Sequence, residues 1–164
     1  MGKFFIEFFR GSKWPRRPGA THRTGIIWWN LIDGWPQFSD AVVDYYYAKK
    51  LAFEFIKRCQ QDLLVLIREP AGAVQQVVAA NDTLRPFELE YLVKDADTAE
   101  LLAGGHVIAA ANAVTPLAEI PFDPERQRFY AITWTGPAGA GTNHYLAGKP
   151  PFNLEQYRKW LAQT

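Results

Sequence analysis

With 164 residues and a formal net charge of +1, the chain is long enough for one core and part of a second, and it carries no field that would steer nucleic acid or an acidic polymer onto it. Its single cysteine, Cys59, excludes an internal disulfide and any cysteine-based zinc cluster within one chain. Its apolar runs stop far short of the roughly twenty residues that a transmembrane helix needs, and Met1 is followed by no signal-peptide pattern, so a cytoplasmic location away from membranes is expected. Aromatic residues make up 15% of the chain and crowd its beginning. Phe4, Phe5, Phe8, Phe9, Trp14, Trp28, Trp29, Trp35, Phe38, Tyr45, Tyr46, Tyr47, Phe53 and Phe55 all precede Gln60. So short a segment cannot bury that surface within itself, which predicts packing against something large or self-association through residues 1–60.

In chain order, Lys3 to Arg10 sets Phe4, Phe5, Phe8 and Phe9 on one broad helical face. Gly11 to Thr24 is a loop rich in Pro, Gly and Arg, in which Arg16, Arg17 and Arg23 surround Trp14 and His22. No wider basic surface supports a nucleic-acid reading of that loop, which is read as a solvated connection. Gly25 to Trp29 is β-branched and aromatic, bounded by turn-forming residues, and reads as a strand buried on both faces. A loop with Asn30, Asp33, Gly34, Trp35 and Pro36 follows. Asp33 ahead of Gly34 suits a turn as well as it suits orienting a ligand, and Asp40 and Asp44 suit bracing the turn that follows. From Lys49 the spacing of Leu51 with Phe55 and of Ala52 with Ile56 predicts an amphipathic helix with its cations near the end. Strand, loop and helix in succession make one β/α unit.

Beyond Gln60 the period changes to two. Strands are predicted over Asp62 to Arg68, Ala73 to Ala80, Phe87 to Lys94, Ala99 to Leu102, Val107 to Ala111, Leu117 to Pro121 and Arg128 to Trp134. Turn signals separate them at Asn81-Asp82, Asp95 to Asp97, Gly104-Gly105, Thr115-Pro116 and Asp123-Pro124. Short strands so spaced argue for an immunoglobulin-like β-sandwich. Gly136 to Thr142 lacks the lysine of a phosphate loop and reads as a turn. Leu154 to Leu161 is a short amphipathic helix with Asn153 as its N-cap, set to dock on the sandwich through Tyr157 and Trp160.

The run Trp29-Asn30-Leu31-Ile32-Asp33-Gly34-Trp35-Pro36, followed by Ala41 to Tyr46, Lys50 to Phe53 and Ile56 to Arg58, resembles the eighth barrel strand and closing helix of glycoside hydrolase family 2, most closely its β-mannosidase-like branch. Asn143 to Leu146, with Gly148 to Phe152 and Leu154-Glu155, is similar to the end of the sandwich that follows the barrel in those enzymes. The resemblance implies a mainly β chain with helices. Residues 1–60 would be the remnant of a (β/α)8 barrel (helix, strand 8, helix 8), and residues 61–164 an immunoglobulin-like sandwich with a C-terminal helix. The basic loop from Gly11 is longer than the link usual in that family.

The same resemblance bears on chemistry. Retaining glycoside hydrolysis needs two carboxyl groups about 5 to 5.5 Å apart, and in the family these are glutamates on earlier barrel strands. Glu7 and Glu54 match neither position, so no catalytic residue is assigned here. Trp29 matches the tryptophan that lies beneath the sugar ring, with Asn30, Asp33 and Trp35 as neighbouring substrate-binding candidates; a β-linked glycoside, preferably a mannoside, is the implied ligand. No cofactor is implied, and His22, His106 and His144 lack metal-site spacing, so none is taken as a metal ligand. His144 reads as structural. Asn81-Asp82-Thr83 fits the N-glycosylation pattern. Two other functions remain open, a non-catalytic sandwich that binds carbohydrate or protein and a barrel-completing subunit of a split glycosidase.

Overall fold

The computed structural model describes residues 2–12, 26–27, 29–137 and 139–162. In chain order these form α1 (Gly2–Ser12), α2 (Leu51–Cys59), β1 (Leu63–Ile67), β2 (Val74–Asn81), β3 (Phe87–Asp95), β4 (Leu101–Ala109), β5 (Ala113–Pro121), β6 (Arg128–Gly136), β7 (Gly139–Ala147) and α3 (Leu154–Leu161). All strand pairs are antiparallel, in a three-stranded sheet ordered β1-β2-β5 and a four-stranded sheet ordered β4-β3-β6-β7. The sheets face each other across Leu64, Leu66, Val78, Leu89, Tyr91, Ile132 and Trp134. The sandwich read from the period-two pattern is therefore present. No helix among the described residues is long and apolar enough to cross a membrane.

Several strand boundaries differ from the sequence reading. Gly104-Gly105 is not a turn: β4 runs straight through it, paired with Leu92 and Tyr91, because an edge ladder tolerates two residues without side chains when its partner strand is strong. Thr115-Pro116 also lies within a strand, since β5 is an edge strand and the register slips between Val77 and Val78 beside Pro116. The segment read as a turn from Gly136 is the tip of a hairpin whose second arm, β7, starts at Gly139. Asn81 is fully buried, with Nδ2 donating to the carbonyls of Arg85 and Ala109, so its glycosylation pattern is a chance match in the folded chain.

The helices behave differently from one another. Asn153 caps α3, its Oδ1 accepting from the amides of Glu155 and Gln156, and Trp160 is buried against Phe129 with its indole Nε1 donating to Asp97. The phenylalanine face of α1 points the other way. Phe4, Phe5 and Phe8 are exposed, whereas Ile6, Glu7 and Arg10 turn inward. There Arg10 donates through Nη1 to the Cys59 carbonyl and through Nη2 to those of Asp62 and Ala80, while its Nε sits 3.0 Å from Asp82. That one guanidinium ties α1 to the end of α2 and to the first two strands. Ile6, Val42, Ile56 and Cys59 form a small second core, and burial pushes the Cys59 thiol up to about 12, which keeps it protonated and inert. In α2 the buried face is Ile56 and Cys59, not the Leu51 end, which is exposed.

Within the predicted strand Gly25 to Trp29, the described residues depart furthest from expectation. Ile26, Ile27 and Trp29 lie in no strand and are exposed, Ile27 at 97%. A parallel strand draws its hydrogen bonds from neighbours on either side, and none of the described strands runs beside it. Gly25, Trp28, Trp14, His22 and most of the basic loop fall outside the described residues.

Candidate functional site

The aromatic segment from Trp29 to Lys50 has a backbone frame of its own. Val43 is its spine, bridging Ile32 in parallel and Lys49 in antiparallel fashion. The amide of Val42 donates to the Asn30 carbonyl at 3.3 Å, that of Val43 to Leu31 at 2.9 Å, that of Asp33 to Val43 at 3.1 Å and that of Lys50 to Val42 at 2.9 Å. Three short runs, 30–33, 41–43 and 49–50, therefore lie side by side. Ala41 and Val42 anchor them from below, both buried.

Two turns stand out from this frame, and each is closed by an aspartate. The Asp33 side chain has no solvent exposure. Its Oδ1 accepts from the Ser39 hydroxyl and from Gln37 Nε2, and its Oδ2 accepts from Lys50 Nζ at 3.1 Å. Lys50 Nζ also donates to the Ser39 carbonyl, and Ser39 Oγ accepts from the amide of Ala41. The Ser39 hydroxyl first, then Lys50 and Gln37, hold the Asp33 carboxyl below the usual carboxylate range. In the second turn Asp44 Oδ1 accepts from the amides of Tyr46 and Ala48, an Asx turn that lets Tyr47 adopt a φ of 67°. Asp44 thus braces the approach to α2 as expected. Asp40 makes no such bond among the described residues, and Lys50 begins the helix without a side-chain cap.

The four substrate-binding candidates fall into two kinds. Trp29 and Trp35 are exposed at 80% and 64%, with rings free to meet an apolar C–H face. Asn30 is half-buried, and its Oδ1 is itself buried with no hydrogen-bond partner among the described residues, so as placed it is closed to an incoming donor. Asp33 differs, because both its oxygens are already engaged by the chain and neither faces solvent. Ser39, Gln37 and Lys50, which engage it, were not legible as site residues. Lys50 reads in sequence as one more cation of a helix, and only the doubled-back chain brings it to Asp33.

The cavities lie elsewhere. A groove of about 760 Å³ runs between α1 and the sandwich, with Phe8, Arg68, Glu69, Glu119, Tyr145 and Phe152 among its walls. A slot of about 260 Å³ lies over the small core, between Leu31, Val42, Phe53 and Ile56. Neither is lined by Trp29, Asn30, Asp33 or Trp35. Of the two glutamates set aside on sequence, Glu7 accepts from Lys3 and from Asn143 Nδ2, each at 2.6 Å, inside the fold. Glu54 lies exposed on α2. His144 is buried between Phe129 and Phe55, and His106 is exposed on β4.

No protein-family model and no curated protein matches this sequence. A solved structure does: a β-D-mannosidase from Dictyoglomus thermophilum shares the fold with a TM-score of 0.69 at 25% identity, over 89% of this chain. The sandwich from residue 61 onward is too short to account for that coverage, so the likeness extends into the segment that carries the aromatic loop. The matched region is 18% of the mannosidase, so this chain spans less than a fifth of that enzyme. The chain thus shares its architecture with one part of a glycosidase.

Proposed function

We propose that the chain is the C-terminal part of a β-mannosidase-like retaining glycoside hydrolase of family 2. Residues 1–60 supply the last helix, strand and helix of its barrel, and residues 61–164 form the immunoglobulin-like sandwich that follows. Its contribution to chemistry is the floor and wall of a sugar pocket. Trp29 offers an aromatic plane to the C–H face of a pyranose, Trp35 a second wall, and Asn30 a neighbouring hydrogen-bonding side chain that would have to turn outward to meet a hydroxyl. Both carboxyl groups of the double displacement come from other strands of the barrel, so these residues by themselves bind or complete a site and do not hydrolyse a glycoside.

One observation carries the reading: a mannosidase structure matches more of the chain than the sandwich alone. The exposed Trp29, Ile27 and α1 phenylalanines support it further, because these are surfaces that a barrel would cover. The test is complementation. A family-2 β-mannosidase truncated before the equivalent of α1 is mixed with this chain, and cleavage of an aryl β-mannoside is followed. Restored cleavage, absent from either partner alone, is the expected result. Failure at saturating concentrations of both would remove the proposal.

A further inference from the structure

We infer that Lys50 and Ser39 are positioning residues for the aromatic loop, acting through Asp33 to hold residues 33–39 in the shape that presents Trp35. This deepens the sugar-pocket reading and rests on it for its biological meaning, but its physical basis is separate. What holds a short loop is either burial of its side chains or bonds across its neck. Burial is not available here, because Gly34, Trp35, Pro36, Gln37 and Phe38 are all exposed. Backbone bonds between residues 31–33 and Val43 hold the base of the loop, and above it three side-chain bonds converge on one carboxylate. Asp33 at the start of the loop accepts from Ser39 at its end and from Gln37 within it, and Lys50, contributed from the start of α2, closes the arrangement from outside.

Two of these contacts are strengthened by full charge. A carboxylate accepting from an ammonium and a hydroxyl makes charge-assisted hydrogen bonds, stronger than neutral ones, and its side chain is shielded from water. Lys50 Nζ adds a bond to the Ser39 carbonyl, so one ammonium grips both ends of the loop. The result is a preorganised loop carrying an exposed indole, and preorganisation is what spares a binding surface the entropy of ordering itself around a ligand.

The test labels the tryptophans with 5-fluorotryptophan and assigns the Trp35 fluorine resonance by its loss in Trp35→Phe. In Lys50→Met the Trp35 resonance is expected to shift and broaden. Amide exchange at Asp33 and Val43 should accelerate at least about tenfold, the effect of losing one charge-assisted bond. Lys50→Arg should restore both, and the Trp134 and Trp160 resonances in the sandwich should stay in place. Ser39→Ala, which leaves the ammonium, should move Trp35 in the same direction and serves if Lys50→Met does not fold. An unmoved Trp35 resonance in these variants overturns the inference, and so does a shift of every tryptophan together, which would make Lys50 a general stabiliser. The two ideas are read separately: failed complementation by the unsubstituted chain removes the sugar-pocket reading, while the latch stands or falls on the Trp35 resonance of the variants.

Discussion

The imidazole of His144 lies nearly parallel to the ring of Phe129, centroids 4.9 Å apart and planes 11° from parallel. Phe55 meets the same imidazole edge-on at 5.7 Å. A proton has no welcome there: burial, and then the nearby cations Lys3 and Arg58, push the His144 pKa down to about 3. An unfolded histidine titrates near 6.5, so below that value the unfolded chain binds a proton that the folded chain refuses. The stabilisation is complete above about pH 6.5 and is lost as the pH falls toward 3. Between pH 7 and pH 5 the loss should be about 2 kcal/mol, measured by urea unfolding at each pH. His144→Phe keeps a ring between Phe129 and Phe55, and in that variant most of the slope in this window should vanish.

Arg10 has a different kind of importance. Its guanidinium serves the carbonyls of Cys59, Asp62 and Ala80 and pairs with Asp82. Arg10→Met preserves the stem and removes these bonds, two of which lie in the interior, although the Asp62 carbonyl keeps the amide of Asp82. The expected cost is about 3 kcal/mol in urea unfolding. Arg10→Lys should recover only a small part, because an ammonium cannot reach three carbonyls and a carboxylate in the plane that a guanidinium spans. A loss below about half a kcal/mol, the level of an ordinary surface change, would mean that α1 is not fastened to the sandwich through this residue.

How far the chain could be read from its sequence depended on where each element finds its partners. The strands β1 to β3 and β6, the helix α3 and its Asn153 cap were legible, because the alternation of Phe87, Leu89, Tyr91 and Val93, or an Asn ahead of a helical run, is a local signal. The strand β7 was not, since Gly139, Ala140 and Gly141 carry no β-branched pattern and form a strand only through the ladder that β6 offers. The run Gly25 to Trp29 differs in the opposite sense: its composition suits a buried strand, but its described residues, Ile26, Ile27 and Trp29, lie in no strand and are exposed. In the site, the aromatic candidates were visible as residue types. The latch on Asp33 was not, because Lys50 is seventeen positions away and meets the carboxylate only after the chain has doubled back through Val43.

The glycines of β7 make a prediction of their own. Gly141 lies opposite Trp134 in the ladder, and the indole lies directly over its Cα, in the space that a Cβ would take. Trp134 is buried, so the ring cannot simply swing into solvent. Gly141→Val should therefore destabilise the sandwich by about 1–3 kcal/mol, the usual cost of overpacking, despite the better strand propensity of valine. The near-ultraviolet circular dichroism of the indole should weaken in step with the fall in the urea midpoint. A variant as stable as the parent, with an unchanged indole signal, would contradict the packing described for this pair.

The outward face of α1 leads to an expectation about association. Phe4 and Phe8 stack with ring centroids 6.2 Å apart, Phe5 meets Phe4 edge-on, and all three are exposed on the side of the helix opposite Ile6 and Arg10. Three adjoining aromatic rings in water form an apolar patch of the kind that soluble monomers rarely keep uncovered. In isolation the chain should therefore associate with itself through this face, so that the weight-average mass from sedimentation equilibrium rises with concentration. Replacing both Phe4 and Phe8 by Lys removes apolar area worth roughly 1.5–3 kcal/mol for each ring that would be buried, and should weaken the association at least about tenfold. Neither residue belongs to either core cluster, so the urea midpoint should hardly move. A parent chain that sediments as a monomer at every concentration would show that the patch is covered in some other way, and an unchanged association in the double variant would transfer the contact to the exposed rings of Trp29, Trp35 and Phe38.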